Sequence, residues 1–446
     1  MLLMTFNTWF FENMVYKPIL ISRGEWIYDN LSRLMDSQYY ARDKIISLQN
    51  SKFDSLIRQA SDSTDYYRDY AALLSGHNLS DLPLLSKNTL RDHSSRLACT
   101  TPAKRLTTKT SGGSTGAPVQ VKKTPSAMSH ELAATWRGYS WADVSIGEKQ
   151  ARFWGVPSGK KDLFRSKAID LVTNRYRLSA FSFDESALKR YLSNLQKFKP
   201  KYFYGYVSMI REFAIFISRY YDKCPVNIEA IITTAEILSL EDRALFEKVF
   251  ECAVYNEYGC GELGTIAHEC EYGSLHINDE NMIVEILNNG LPCKDGEQGE
   301  IVVTELNNTA MPLIRYQLGD YGKISQTPCQ CGRTLTVLSE INGREYDFFI
   351  NKEHKKFHGE FFLYAFEELK KSGISVPGFQ LIQSDIEHFQ LKIVLSQPAD
   401  IGPIKDKLGA VIDTYFNGAK LDVEQVESIE RESSGKLRVI KREFDI

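Results

Sequence analysis

The chain has 446 residues, 43% hydrophobic and 25% charged, which is typical of a globular protein long enough for two or three domains. Its formal net charge of -3 argues against a broad nucleic-acid surface, because such surfaces are usually basic. No segment is apolar for long enough to cross a bilayer, and the apolar start lacks the basic residues and cleavage site of a signal peptide. We therefore expect a cytoplasmic protein whose eight cysteines are reduced or bind a metal.

The first 340 residues predict helices, then an alternating pattern, then strands. Apolar side chains recur at helical spacing from about residue 26 to residue 70, and Ser86 is a candidate N-cap. Between residues 151 and 254, apolar runs alternate with amphipathic stretches at 185–198, 208–221 and 240–250. This alternation predicts a parallel sheet flanked by helices, with ligands at the carboxyl ends of its strands. From residue 275, extended segments with turns predict a β-rich subdomain.

The last hundred residues predict a small α+β module. The expected fold class is thus α/β: a large N-terminal domain with mixed sheets flanked by helices and a β-rich subdomain, plus a small C-terminal α+β domain. The glycine-containing segment 343–347 lies where the pattern changes, and is either a hinge or a plain linker. We expect a helical N-terminal extension over 1–80 packed on the large domain, the large domain over 81–342, a hinge at 343–347 and a mobile C-terminal domain over 348–446.

A segment rich in glycine and hydroxyl residues runs from Lys109 to Pro118. Glycine permits close backbone approach, and exposed N–H groups with hydroxyls suit a phosphate. A flexible surface loop is the alternative. The segment is not a Walker A loop, because Ala117 follows Gly116 where that motif needs lysine.

Three further short segments carry groups that could serve a nucleotide site. Tyr258, Gly259 and Glu262 offer an aromatic face, a glycine turn and a magnesium ligand, although taken alone the segment favours a β-turn with an exposed glutamate. Asp320, after a turn glycine, can accept from a ribose diol or can simply be turn chemistry. Lys436, on a Ser/Gly segment, can act as a mobile cation, or is a surface lysine.

A metal set is suggested by two cysteine-containing pairs that flank the β-rich segment. Three sulfurs and one imidazole make a closed tetrahedral zinc site. The expected ligands are Cys270, His276, Cys329 and Cys331, with His268 and Cys260 as competitors. The spacing is not that of a common zinc finger, and buried cysteines beside an unrelated histidine are the alternative.

In their residue patterns and in their order along the chain, these segments resemble motifs of the adenylate-forming superfamily, and within it the branch of phenylacetate–CoA ligase and CapK. The resemblance covers about residue 82 to the C-terminus and rests on Thr110-Ser111-Gly112-Gly113-Ser114-Thr115-Gly116, Ala235-Glu236, Tyr258-Gly259-x-x-Glu262, Gly299-Glu300, Arg315-Tyr316-x-x-Gly319-Asp320, Gly343-Arg344-x-x-Asp347 and Ser434-Gly435-Lys436. Met311-Pro312-Leu313-Ile314, the Cys-x-Cys-Gly-Arg segment at 329–333 and the Glu269-Cys270…Leu275-His276 segment are typical of the branch.

The resemblance implies an AMP-forming ligase that uses ATP and magnesium. A carboxylate attacks the α-phosphate of ATP, and a second nucleophile, such as the thiol of coenzyme A, displaces AMP from the acyl-adenylate. The implied phosphate grip is Ser111, Gly112, Gly113, Ser114, Thr115 and Gly116, and the implied base pocket is Ala235, Glu236, Asn256, Tyr258 and Gly259. Glu262 would hold magnesium, and Asp320 would bind ribose with Arg344 nearby. Lys436 would be the catalytic cation, and Asp347 the hinge pivot.

Tyr204, Gly205 and Tyr206 are expected to line the acyl pocket, because they follow a predicted strand and because of the family resemblance. An aromatic pocket of this kind suits an aryl acid, a small apolar acid or a sugar acid of surface-polysaccharide biosynthesis. The expected partners are a small carboxylic acid and ATP, with no nucleic acid and a homodimer as one assembly to test.

This chain departs from the family pattern at Ala117, where many members have lysine, at Gly261, where Thr or Ser is usual, and before Ser434, where proline and threonine are missing. Two other functions stay open: an adenylyltransferase that leaves AMP on its acceptor, and a non-catalytic nucleotide-binding homologue.

Overall fold

A computed structural model describes residues 6–444 except 75, 77, 102–103, 111–118, 156–159, 180–184, 237, 343–347, 359–361, 363–364, 367, 370–371, 375, 377, 396–399, 417, 428 and 430–439. Several expected site residues lie outside the described residues: Ser111 to Gly116, Arg344, Asp347 and Lys436.

The helices before the glycine-rich segment are α1 (Phe6–Phe10), a π-helix (Phe11–Tyr16), α2 (Lys17–Arg23), α3 (Ile27–Ser37), α4 (Arg42–Ser63), α5 (Asp65–Arg68), α6 (Ala71–Leu74), a 3-10 turn (Leu79–Asp81), α7 (Lys87–Asp92) and α8 (Ser94–Leu97). The later helices are α9 (Pro125–Ser140), α10 (Lys160–Val172), α11 (Glu185–Phe198), α12 (Val207–Tyr220), α13 (Leu240–Phe250) and α14 (Gly402–Tyr415). None of the helices described combines the length and hydropathy that crossing a bilayer requires.

The strands are β1 (Thr107–Thr110), β2 (Gln120–Lys123), β3 (Gln150–Trp154), β4 (Arg175–Ser179), β5 (Tyr202–Tyr206), β6 (Ala230–Thr234), β7 (Ala253–Cys260), β8 (Gly264–Glu269), β9 (Leu275–Ile277), β10 (Met282–Asn288), β11 (Leu291–Pro292), β12 (Gly299–Glu305), β13 (Tyr316–Ser325), β14 (Val337–Asn342), β15 (Phe348–Ile350), β16 (Lys356–His358), β17 (Gly378–Asp385), β18 (His388–Val394), β19 (Lys420–Gln425) and β20 (Ile440–Arg442).

The largest sheet has twelve of the described strands, in the order β11-β10-β12-β13-β14-β9-β8-β7-β6-β5-β3-β4. Strands β4, β3, β5, β6 and β7 run parallel, as the alternating pattern predicts, and the others are antiparallel. The chain places β4 on one side of β3 and then returns to place β5 on the other side. That reversal is the topological switch point, where open α/β sheets bind ligands beyond the carboxyl ends of their strands.

The parallel strands have two different faces because successive side chains alternate. On one face, Phe153, Phe203 and Ile231 pack with α11, α12 and α13 in an apolar core. The opposite face packs against α9, where Tyr204 and Ile232 contact the cluster around Trp136 and Tyr139. This second face carries polar and charged side chains as well as aromatic ones, which a purely structural layer would not need.

The N-terminal helices pack on the antiparallel half of the large sheet. Phe53, Leu56 and Ile57 of α4 share a core with residues of β8 to β14. A buried polar network reinforces this contact, because Arg137 bonds both Glu280 (2.6 Å) and Asn278 (2.7 Å), and Ser37 also donates to Glu280.

The C-terminal region has its own sheet, in the order β19-β18-β17-β20, and a hairpin of β15 and β16. Its core is built by residues from Phe349 to Ile440, with Ile404, Leu408 and Ile412 of α14 fully buried. An α+β module therefore follows the segment at 343–347, and the mixed α/β fold class is confirmed.

Candidate active site

A cavity of about 1200 Å³ lies at the switch point and extends toward the antiparallel half of the sheet. Its walls come from α9, the carboxyl ends of β5, β6 and β7, and β13. Among its lining residues are many that the sequence singles out for acid, base, ribose and metal binding: Tyr204, Tyr206, Ala235, Glu236, Asn256, Tyr258, Gly259, Glu262 and Asp320. Residues far apart in sequence are thus gathered around one space.

Glu262 is a buried carboxylate at this cavity. Its Oε1 accepts a hydrogen bond from the Tyr316 hydroxyl at 2.9 Å and lies 3.6 Å from the Lys87 ammonium. The side chain is 5% exposed, so the carboxylate is held by neighbours rather than solvated. A fixed carboxylate on a cavity wall is a suitable oxygen ligand for magnesium that also binds phosphate oxygens.

Tyr258 and Asp320 meet across the cavity, where the tyrosine hydroxyl donates to Asp320 Oδ2 at 3.0 Å. The turn expected within 256–262 comes at 261–263, because β7 continues to Cys260. Gly259 instead lets β7 and β8 lie close together, because a Cβ at this position would lie 2.4 Å from the Gly264 carbonyl oxygen. Asp320 likewise lies inside β13, one residue after Gly319, whose φ is +78°.

Ala235 and Glu236 follow β6 directly at the cavity rim. Ala235 has φ of +67°, a left-handed conformation that is uncommon outside glycine and is enriched at functional sites. Glu236 accepts from the backbone N–H and the hydroxyl of Ser208 at 2.7 and 2.9 Å, at the start of α12. These contacts fix the backbone that borders the expected base pocket.

The end of the cavity that is expected to hold the acyl group is aromatic. Tyr204 and Trp154 stack at 5.8 Å between ring centroids, and Tyr139 adds a third ring. Gly205 is in the same strand but points to the opposite face, where a Cβ would lie 2.0 Å from the Phe153 carbonyl oxygen. It is not among the cavity-lining residues, so its part is to let β3 and β5 approach.

Glu257 is a buried acid in the same cavity. Burial raises its pKa, whereas hydrogen bonds from Tyr204 and Thr234, each 3.0 Å from Oε1, act against that rise. His268 lies nearby, with Nε2 3.7 Å from Glu257 Oε2. Burial lowers the pKa of His268 to about 3, so the imidazole is neutral at physiological pH.

A buried charge cluster anchors the two strands that flank the glycine-rich segment. Lys123 of β2 donates to Glu131 of α9 at 2.8 Å and to Glu305 of β12 at 2.7 Å. Lys109 of β1 also pairs with Glu131. Burial opposes the positive charge of Lys123, but Glu305 and Glu131 outweigh it and raise its pKa. Both arms of the segment are therefore tied to the wall of the cavity.

A second candidate site is a cluster of three cysteines and one histidine: Cys270, His276, Cys329 and Cys331, whose ligand atoms all lie within 4.8 Å of one another. The Cys270 and Cys329 sulfurs are 3.7 Å apart, and Cys331 Sγ is 3.3 Å from His276 Nε2. Two thiolates bound tetrahedrally to zinc lie about 3.8 Å apart, given Zn–S bonds of ~2.3 Å. His276 Nδ1 lies 3.3 Å from the Leu335 carbonyl oxygen, an arrangement that directs Nε2 at the cluster. Neither Cys260 nor His268 belongs to it.

Comparisons with known proteins agree with the resemblance in sequence. A family model described as the CapK C-terminal domain matches residues 349–443. Protein CapK of Staphylococcus aureus is 26% identical over 427 residues, which is 92% of this chain and 91% of that protein. The phenylacetate–coenzyme A ligase of Thermus thermophilus is 23% identical over 384 residues, covering 80% and 83% of the two chains. Over most of its length the chain is therefore similar to CapK and phenylacetate–coenzyme A ligase, the branch of the adenylate-forming superfamily that its sequence segments resemble.

A solved structure has the same fold as this chain. The 2-hydroxyisobutyryl-CoA ligase, crystallised with 2-HIB-AMP and CoA in its thioesterification state, matches with a TM-score of 0.58. Its sequence is 17% identical, and the alignment covers 92% of this chain and 93% of that one. The likeness therefore extends over the large sheet and the C-terminal module, and it concerns the fold.

The sequence did not predict some of the residues that line the cavity. Lys87, Arg152 and Arg175 line the cavity without belonging to any local motif. Only Lys87 had a nearby signal, because Ser86 is the N-cap that the sequence predicts: its hydroxyl accepts from the Thr89 N–H at 3.0 Å. The two arginines come together through the pairing of β3 with β4, which a single sequence does not reveal.

Proposed function

We propose that this protein is an ATP-dependent, AMP-forming ligase that activates a carboxylic acid as its acyl-adenylate. The observation that carries the proposal is the cavity, because it gathers an aromatic acyl end, the Tyr258–Asp320 pair and the buried carboxylate of Glu262 around one space. An acid, a nucleoside and a metal-bound triphosphate need these three environments side by side.

In the proposed reaction a carboxylate oxygen of the acid bonds to the α-phosphorus of ATP, and pyrophosphate leaves with its electron pair. Glu262 would hold Mg²⁺, which neutralises phosphate charge, and Tyr258 and Asp320 would fix adenine and ribose. Segment 111–116, carried by strands that Lys109 and Lys123 anchor, would grip the departing phosphates. Lys436 would stabilise the charge that develops on the transferring group. A thiol such as coenzyme A would then attack the acyl carbon and release AMP.

A panel experiment tests this proposal. Purified protein, Mg²⁺, ATP and labelled pyrophosphate are incubated with aryl, aliphatic and sugar acids, and exchange of label into ATP is measured for each acid. We expect exchange that depends on one class of acid and that persists without coenzyme A, since adenylation comes first. Mass spectrometry of the final product separates acyl transfer, which frees AMP, from an adenylyl transfer that leaves AMP on the acceptor. ATP binding with no exchange by any acid would favour a non-catalytic role.

The same cavity guides the choice of acids for this panel. Tyr204, Tyr206 and Trp154 offer ring faces that suit an aryl acid or a sugar acid. Protein CapK among the relatives is the reason to include sugar acids of surface-polysaccharide biosynthesis in the panel.

We also propose that Cys270, His276, Cys329 and Cys331 bind a structural zinc ion. Strands β9 and β14 share a single residue pair, Val337 with His276, which is the narrowest junction described in the large sheet. The four residues span this junction, so a metal there would hold the two halves of the sheet together.

Elemental analysis checks the zinc proposal. We expect about one zinc per chain, lost when Cys329 and Cys331 are both replaced by serine, together with a lower melting temperature. Cys293→Ser is the matched control, because this cysteine lies outside the cluster and should leave zinc content unchanged. Protein purified without chelators that contains no zinc would refute the proposal.

A further inference from the structure

The acyl end of the cavity carries two guanidinium groups that the proposed reaction does not use. Arg152 of β3 and Arg175 of β4 line the cavity on the same face of the sheet, since Gln150 pairs with Arg175 in register. Neither arginine forms a hydrogen bond or ion pair with any residue that the structure describes. Arg177, also on this face, differs: Asp170 binds it in a bidentate pair at 2.9 and 2.8 Å.

Arg152 is held in place by rings rather than by acids. Its guanidinium carbon lies 4.5 Å from the ring centroid of Trp154 and 4.7 Å from that of Tyr204. Its Nε is buried and has no hydrogen-bond partner among the described residues. A guanidinium fixed between aromatic faces keeps its charge and its donors for a ligand.

Glu257 is an acidic neighbour of the arginines: the charge of Arg152 acts to lower its pKa against the effect of burial. Burial, followed by the positive charge of Arg152, lowers the pKa of Arg175, which means that the two charges repel each other in the free protein. Tyr16, Tyr139 and Tyr202 act on Arg175 as neutral phenols, because burial raises the pKa of all three. The acid on the same sheet face, Glu257, is already bonded by Tyr204 and Thr234. Two half-buried like charges, neither of which forms an ion pair with a described residue, favour an anionic ligand.

We infer that the acid activated here carries a second anionic group, and that Arg152 and Arg175 bind that group at the inner end of the cavity. This inference rests on the proposed function, because it names the substrate class of the same site. A carboxylate, a sulfate or a phosphate ester shares the required chemistry: planar or tetrahedral oxygens that accept two charged hydrogen bonds. A ring between the acidic groups would stack on Trp154 and Tyr204, so an aryl diacid or an acidic sugar derivative fits.

Acids of similar shape but different charge test the inference. Para-carboxyphenylacetate and para-carbamoylphenylacetate have nearly the same shape, and para-sulfophenylacetate and para-phosphonophenylacetate replace the carboxylate with other anions. Binding of each to the full-length protein is measured by isothermal titration, and turnover by pyrophosphate exchange. We expect the wild-type protein to bind at least one anionic probe ~10-fold or more tightly than the amide, which is the effect of one or two charge-assisted hydrogen bonds.

Variants of the two arginines test whether these side chains cause the preference for anionic probes over the amide. Arg152→Gln and Arg175→Gln should each reduce the ratio of anionic to amide binding by ~10-fold, because each removes one charged donor while keeping comparable length. Arg177→Gln is the control, since its guanidinium is paired with Asp170, and the ratio should not change. Equal binding of the anionic and amide probes by the wild type, or binding of none of the anionic probes, would overturn the inference. An equal loss for all acids in the variants would also overturn it, because the arginines would then bind the reacting carboxylate. Charge-selective binding without pyrophosphate exchange would support the anion-binding role of the arginines and refute the proposed function, so the two failures are distinguishable.

Discussion

Replacing Lys436 with alanine is expected to lower acid-dependent pyrophosphate exchange by ~10²-fold or more, the loss that follows removal of one positioned transition-state donor. The lysine stands at the end of the Ser434-Gly435-Lys436 segment that the superfamily resemblance singles out. In the proposed reaction its ammonium bridges the incoming carboxylate and the α-phosphate, where charge develops in adenylation. The measurement is the exchange rate with the best acid of the panel at saturating ATP.

Lys405→Ala is the matched control for Lys436→Ala, because Lys405 is an exposed lysine on α14 of the same C-terminal module. It should retain the wild-type exchange rate, and both variants should bind ATP with similar affinity. A Lys436→Ala protein with full exchange activity would show that the lysine is a surface residue and that the catalytic cation lies elsewhere.

Lys123→Met is expected to destabilise the large domain by about 3–5 kcal/mol, the cost of breaking a buried ion pair by removing one partner. The Lys123 side chain is 0% exposed, and its loss would leave the carboxylates of Glu131 and Glu305 facing each other. Methionine has a similar length without the charge, so the effect of packing is small. The change in free energy of unfolding is obtained from urea denaturation followed by tryptophan fluorescence, which reports on this region because every tryptophan of the chain lies between Trp9 and Trp154.

Lys122→Met provides the comparison for Lys123→Met, because Lys122 is the neighbouring exposed residue in β2. Its effect should stay within about 0.5 kcal/mol, as for most surface substitutions. If the two variants are equally stable, the buried cluster does not anchor the strands beside the glycine-rich segment.

Strong amphipathic patterns were enough to predict much of the parallel half of the sheet. The helices over Glu185–Phe198 and Leu240–Phe250 have the bounds that the sequence predicts, because each begins and ends where its apolar period does. The turn near Gly259 lies later than the sequence predicts, at 261–263, because glycine has two uses. It can permit a turn, but at Gly259 it permits the close approach of β7 and β8.

Some residues of the candidate sites could likewise be predicted from the sequence, and others could not. The cysteine set could be predicted because two short pairs, Cys270 with His276 and Cys329 with Cys331, together supply a complete tetrahedral ligand set, and the cluster is present in the structure. Arg152 and Arg175 could not, because a lone arginine in a strand is common and only the register of β3 and β4 places both in one cavity. The family resemblance also implies roles for residues 111–116, Arg344, Asp347 and Lys436. These roles stay predictions, because the residues lie outside the described part of the chain.

The central claim, that a carboxylate attacks the α-phosphate of ATP, is tested most directly by following the carboxylate oxygens. The acid that supports exchange is labelled with a heavy oxygen isotope in its carboxyl group, incubated with the protein, ATP, Mg²⁺ and coenzyme A, and the nucleotide product is examined by mass spectrometry. Adenylation forms a bond between a carboxylate oxygen and the α-phosphorus, and acyl transfer then breaks the bond from that oxygen to the acyl carbon. AMP that carries one heavy oxygen is therefore the predicted result, whereas unlabelled AMP, or label in inorganic phosphate with ADP as the nucleotide product, would contradict the account.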